Sequence, residues 1–148
     1  MPASLFLVIS VGLQWVFCRI VSPWWVPDLS LVSLILTMGP SSARWLIRSW
    51  LIGIVTMCWD VQAPLVPLLW YPAVAGSLRL VAQRWDLEDL RVQLVLVALA
   101  ESMWLLLHVW IQDIATLPLL ALAVLHVAVT VITVPAMRQA MSRWEVAS

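Results

Sequence analysis

The sequence predicts an all-α membrane protein: a compact bundle of six transmembrane helices, the second of them short, with the N and C termini both cytoplasmic. Three observations carry this. Hydrophobic residues make up 64% of the 148 residues and charged residues only 11%, at a mean hydropathy of +1.00, whereas a soluble domain is about 45–50% apolar and about 25% charged. Pro, Gly and the charged residues are gathered between apolar runs. All eight basic residues are Arg, and they fall in alternate connections. A membrane-spanning helix needs about 20 apolar residues, so 148 residues fill six spans and leave no room for a sizeable domain beside them.

The first run, residues 4–20, follows Met-Pro-Ala without a basic segment or a small-x-small cleavage site, and reads as a retained span rather than a signal peptide. Pro23 and Pro27 end it. The second run, 28–38, opens at Asp28, which is placed to cap it. At 1.5 Å per residue it spans about 17 Å, so it thins the membrane, leans on its neighbours or stops before crossing. The third span, 43–59, starts after an N-cap candidate, Ser41-Ser42, and closes at Asp60. The fourth, 65–83, contains Pro67 and Pro72 and a patch of small residues (Ala73, Ala75, Gly76 and Ser77) expected to kink it and pack it closely on another helix. The charged stretch "QRWDLEDLR" separates it from the fifth span, 92–110. The sixth, 117–137, follows the polar break "QDIATLP".

The arginines orient the bundle. Arg44 and Arg48 follow the second span; Arg79, Arg84 and Arg91 lie around the fourth connection; and Arg138 and Arg143 are in the tail, leaving Arg19 on the other side. The positive-inside rule then puts both termini and the even connections in the cytoplasm, which implies a multi-pass protein of a bacterial inner membrane. It also requires the short second run to cross. Many Trp fit the interfacial belt: Trp24, Trp25, Trp59 and Trp110 at the outer boundary, and Trp45, Trp85 and Trp144 at the inner one. Trp70 and Trp104 remain inside. Cys18 and Cys58 fall near the outer ends of their spans, where a disulfide is possible, but two reduced, buried thiols are the favoured reading.

The candidate polar residues are few. Glu101 sits mid-span, where a carboxylate costs roughly 2.5–3.5 kcal/mol on insertion scales and must face other helices. His108, seven residues on, shares its helical face, with Trp104 between them. A proton or cation relay continuing to His126 is the sharper reading; a polar clasp that fixes packing is the plainer and favoured one. Asp60 is placed to bind a cation or an amine, or, more simply, to cap the turn "DVQAP". Arg44, Arg48, Arg79, Arg84 and Arg91 form an inner-face basic set able to hold lipid phosphates or a partner's acidic groups. There is no basic run for nucleic acid, no zinc or iron–sulfur spacing of Cys or His, no phosphate loop and no nucleophile elbow. No cofactor and no enzymatic activity are expected.

The order of the motifs is informative. "PDLSLVSLILTMGP", "GIVTMCWD" and "RVQLVLVALAE", across residues 27–105, together resemble the rod shape-determining MreD family of small bacterial inner-membrane proteins. The resemblance implies a non-enzymatic subunit of the cell-elongation machinery that binds and positions the single-span protein MreC. Through MreC it would act on the filament MreB, the glycosyltransferase RodA and a penicillin-binding transpeptidase of peptidoglycan synthesis. It also implies a fold similar to the six-helix substrate-binding subunits of energy-coupling-factor vitamin transporters, with Asp60 and Glu101 near an intramembrane cavity. The alternative function is therefore a transporter's small-molecule binding subunit, with Glu101, Trp104, His108 and Trp70 lining a cavity suited to a flat aromatic ligand.

Overall fold

The computed structural model describes residues 3–38, 44–58, 65–112 and 117–146. It is an all-helical six-helix bundle: α1 (Ala3–Ile20), a single 3-10 turn (Pro23–Trp25), α2 (Leu29–Thr37), α3 (Trp45–Met57), α4 (Leu65–Val81), α5 (Leu90–Gln112) and α6 (Leu117–Val146). Successive helices pair as three hairpins, α1/α2, α3/α4 and α5/α6. Asp60, Ser41-Ser42, Trp59 and the break at 113–116 lie outside the described residues.

The short second helix is the hub. α2 packs against all five other helices, and every residue from Ser30 to Met38 is buried. Its apolar side chains, including Leu31, Val32, Leu34 and Ile35, join Leu7 and Val11 of α1, Ile52 of α3, Tyr71, Val74, Ala75 and Leu78 of α4, Val97 of α5 and Val134 of α6 in one core. Its hydroxyls are satisfied within the bundle: Ser33 Oγ donates to Ser30 O (3.0 Å) and Thr37 Oγ1 to Ser33 O (2.7 Å), the back-bonding that lets Ser and Thr occupy a dry helix. Both ends are held as well. Asp28 Oδ1 accepts the Leu31 N–H (2.8 Å) at the N-terminus, and Arg48 of α3 donates to the carbonyl of Thr37 (3.3 Å) at the C-terminus. Each charge has the sign that the helix dipole favours at its end.

The chain joining α1 to α2 does not run over the end of the bundle. The Asp28 N–H donates to Thr130 Oγ1 (3.1 Å), thirteen residues after α6 begins at Leu117, or roughly 20 Å along that helix. The second run leans on its neighbours, and the segment before it, with its 3-10 turn, lies along α6. The sequence assigns Trp24 to a water boundary. The structure seats it edge-on against His126 (ring centroids 6.4 Å apart).

The largest boundary difference is in α6, which the sequence ends at Met137 and which runs on to Val146. The tail beyond Met137 is rich in Ala, Met, Arg and Gln, all good helix formers, so hydropathy falls there while the helix continues. Pro135 does not end it. At the start of α5, Asp89 Oδ1 accepts the Arg91 N–H (2.9 Å), and Gln93 Nε2 bonds the carbonyl of Leu87 (2.8 Å), pinning the charged connection to the helix.

Close packing between α3 and α4 is found at a different place from the expected small-residue patch. Of that patch, Ala75 is fully buried, but Ala73 and Ser77 are exposed, and a Cβ on Gly76 would meet nothing within 4 Å. The near contact is at Gly53, where a Cβ would stand 3.0 Å from Pro67 O and 3.1 Å from Leu68 Cα. Both are backbone atoms and cannot rotate aside. Gly53→Ala is therefore expected to destabilise the α3/α4 hairpin by about 1–3 kcal/mol, the range for overpacking, and Gly76→Ala to leave stability unchanged. Thermal unfolding of both variants in detergent checks this, and equal melting temperatures would contradict the contact.

Candidate functional site

Among the described residues, α5 and α6 are the two helices long and apolar enough to cross a membrane, with mean hydropathies of 2.0 over Leu90–Ile111 and 2.3 over Pro118–Arg143. Their amphipathicity is reversed relative to a soluble bundle. α5 buries Gln93, Val97 and Glu101 and exposes Val95, Leu99, Met103, Leu106 and Trp110; α6 buries Thr130 and Val134 and exposes Val124 and Ile132. Polar groups thus turn inward to find partners, as they must where the surroundings offer no hydrogen bonds.

The inward groups meet at the N-terminus of α2. Glu101 is fully buried, and its Oε1 lies 2.8 Å from His126 Nε2, an ion-pair distance. The other ring nitrogen of His126, Nδ1, faces the carbonyl of Trp24 at 3.4 Å. Asp28 Oδ2 accepts the hydroxyl of Tyr71 (3.2 Å). Gln14 Oε1, from α1, accepts both the backbone N–H (2.8 Å) and the hydroxyl (2.6 Å) of Ser30. Five helices and the 3-10 turn contribute to this cluster, and Asp28, Glu101 and His126 interact electrostatically within it. Among the described residues, neither Glu101 Oε1 nor Oε2 has an aligned hydrogen-bond donor, so the 2.8 Å approach of Oε1 to His126 is a close charge contact rather than a hydrogen bond.

The geometry separates residues that the sequence groups together. Glu101 meets His126, as the longer relay requires. Trp104 and His108 belong to an aromatic ladder instead, with ring centroids 5.6 Å apart from Trp70 to Trp104 and 4.3 Å from Trp104 to His108. Beside the ladder an open groove of about 280 Å³ runs between α4 and α5, lined by Leu65, Val66, Leu69, Trp70, Ala73, Leu107 and Ile111. Of the four residues proposed to line a ligand cavity, Trp70 alone borders this groove.

The basic residues have separate environments. Arg48 bonds the end of α2, and Arg79 lies over the ring of Trp45 (5.5 Å); Arg44, Arg84 and Arg91 are exposed. Cys18 and Cys58 are free thiols, Cys18 partly buried and Cys58 exposed. Among the described residues, no three His, Cys, Asp or Glu side chains are grouped to hold a metal ion.

Sequence reasoning reads Asp28 as a helix cap and does not anticipate its company. Gln14, Tyr71 and Thr130 are also missed. Two of them left a trace: Tyr71 is the single Tyr of the chain, and Gln14 is a polar residue inside the first apolar run. Thr130 left none, since Thr back-bonds readily within apolar helices.

The arrangement can hold charge and exchange protons, and it ties α1, α2, α4, α5 and α6 together. Removing one partner of a buried pair strands the other at a cost of about 3–5 kcal/mol, whereas replacing both by apolar residues is often neutral. His126→Leu is thus expected to lower the stability of the folded bundle by about that amount, and Glu101→Leu to cost less in the His126→Leu background than it does alone. Thermal denaturation in detergent of the two single variants and the double variant measures the coupling; additive losses would show that the two side chains do not act as a pair. No protein-family model, curated protein or solved structure matches the chain.

Proposed function

We propose that the chain is a multi-pass scaffold of the bacterial inner membrane, an MreD-like subunit of the cell-elongation complex that binds and positions a single-span MreC-like partner. The observation that carries this reading is the placement of the residues behind the resemblance. Asp28 of "PDLSLVSLILTMGP" caps the hub helix, Gly53 of "GIVTMCWD" is the near contact of α3 with α4, and Glu101 of "RVQLVLVALAE" pairs with His126. Each of the three motifs thus supplies a residue to a packing or polar contact between elements.

The reversed amphipathicity of α5 and α6 supports insertion in lipid, and the arginine distribution supports cytoplasmic termini. A scaffold of this kind works by position. An exposed apolar helix face or groove receives the partner's transmembrane helix at a fixed depth, keeping the partner's cytoplasmic and periplasmic parts in register with MreB, RodA and the transpeptidase. Catalysis is no part of this reading.

The second reading, a transporter's small-molecule subunit, is favoured by the groove beside the Trp70–Trp104–His108 ladder, since stacked aromatic rings suit a flat ligand. The apolar lining of that groove supplies few of the polar groups that orient ligands in binding sites.

The two readings differ in what they retain. The scaffold is expected to carry an MreC-like protein through detergent extraction and affinity purification, and its depletion to round rod-shaped cells. Normal rods after a clean deletion, together with a flat aromatic vitamin that raises the melting temperature of the purified protein, would replace the scaffold by the binding subunit. The topology is checked separately: single cysteines at Arg84 and Arg143 are expected to resist a membrane-impermeant thiol reagent in intact cells and to react after lysis.

A further inference from the structure

The cluster at the head of α2 contains two acids and one base. Asp28 comes from the α2 N-terminus, Glu101 from α5 and His126 from α6. The other titratable groups near it are Tyr71 of α4 and Cys18 of α1, whose thiol feels the charge of Asp28. Arg48 of α3 lies at the opposite end of α2. With both acids ionised and the imidazole protonated, the interior would hold one uncompensated negative charge. A buried charge without a partner is among the most expensive arrangements a protein can contain.

The hydrogen bonds say where the compensating proton sits. Asp28 is provided for as an anion: it accepts the Leu31 N–H and the Tyr71 hydroxyl, and it stands at the positive end of the α2 dipole. His126 lies between two acceptors, Glu101 Oε1 at 2.8 Å and the Trp24 carbonyl at 3.4 Å. An N–H on each ring nitrogen, the imidazolium, lets the ring face both of these oxygens. Glu101 then decides the charge of the whole site. Its Oε2 is buried with no donor among the described residues, and an ionised oxygen left in that state costs more than a neutral one.

We propose that this cluster is a proton-binding site, with Glu101 Oε2 carrying an exchangeable proton at neutral pH beside an Asp28 carboxylate and a His126 imidazolium. The assembly is electroneutral while the proton is bound. Release begins when the His126 imidazolium gives an N–H proton to solvent; the O–H bond of Glu101 then breaks, its electron pair stays on the carboxylate, the proton restores the imidazolium, and a net negative charge is left where the α1/α2 and α5/α6 hairpins meet. His126 is the member with some exposure, its side chain being 13% accessible against 1% for Glu101, so it offers the route by which the proton exchanges. The packing of the hub helix thereby becomes sensitive to proton concentration, whichever partner the bundle holds.

Infrared spectroscopy of the full-length protein in lipid tests the assignment. At neutral pH the wild type is expected to give a protonated-carboxyl C=O band that shifts in deuterated buffer. Glu101→Gln is expected to remove it. Asp28→Asn should remove it too, because Glu101 and His126 then balance each other without a further proton. Absence of the band in the folded wild type overturns the proposal, as does its persistence in either folded variant. If neither variant folds, the wild-type band and its deuterium shift still decide.

Stability gives a second readout. Where the folded state holds one proton more than the unfolded state, stability falls as pH rises. The folding equilibrium constant is then expected to drop tenfold per pH unit from the point where the unfolded glutamate ionises to the point where the folded cluster releases its proton. A constant melting temperature of the wild type across that range would also overturn the proposal.

Discussion

The backbone that leads into α2 packs against α6 and is buried at Val26 and Asp28, and the means by which its polar groups are satisfied there governs the rest of the structure. A nine-residue helix is about 13 Å long, too short to reach from one side of a bilayer to the other. The chain that leads into it is not α-helical, and where such chain packs against protein its backbone groups need hydrogen-bond partners there. Asp28, Thr130, Trp24 and His126 meet this need together: a carboxylate takes the Leu31 N–H, a threonine hydroxyl takes the Asp28 N–H and an imidazole faces the Trp24 carbonyl. Glu101 follows from that constraint, since an imidazole held between acceptors needs an acid beside it.

The same constraint explains why the bundle is organised around α2 rather than around its two long helices. In the proposed membrane setting lipid is as apolar as leucine, and burying Leu31 or Ile35 would then be driven less by solvent than by van der Waals packing and interhelical hydrogen bonds. A helix covered on every side gains the most from packing. α2 is covered in this way, and its two ends are the places where charged side chains reach it, Asp28 at one and Arg48 at the other. α5 and α6, by contrast, spend most of their length on outward apolar faces and turn only a narrow stripe toward the hub.

Much of this was legible in the sequence, for reasons that also mark its limits. The helices follow from apolar runs separated by Pro, Gly and charge, because in a membrane the alternation of apolar and polar segments is nearly the whole local signal. Glu101 stands out since a lone carboxylate in an apolar run needs a partner. Which partner it takes is a tertiary fact: His108 shares its helix and its face, yet His126 reaches it from the neighbouring helix. Asp28 is readable as a cap, but its hydrogen bond to Tyr71 spans 43 residues of chain and has no local trace. The C-terminal end of α6 fails for a different reason, because hydropathy reports where a helix leaves an apolar medium and says little about where it stops.

Gly53 shows how weak a compositional cue can be beside a geometric one. A cluster of small residues in α4 looks like the natural site of close approach, since small side chains let helices come together. Close approach, however, needs a small residue on the side that faces the neighbour, and of that cluster Ala75 is fully buried while Ala73 and Ser77 are exposed. The α3 glycine lies against the Pro67–Leu68 backbone, at the stretch where Pro72 leaves the Leu68 carbonyl without its usual helical donor. A proline that removes a hydrogen bond from one helix and a glycine that removes a side chain from the other thus act at the same point. They set the spacing of α3 and α4, and with it the position from which Tyr71 reaches Asp28.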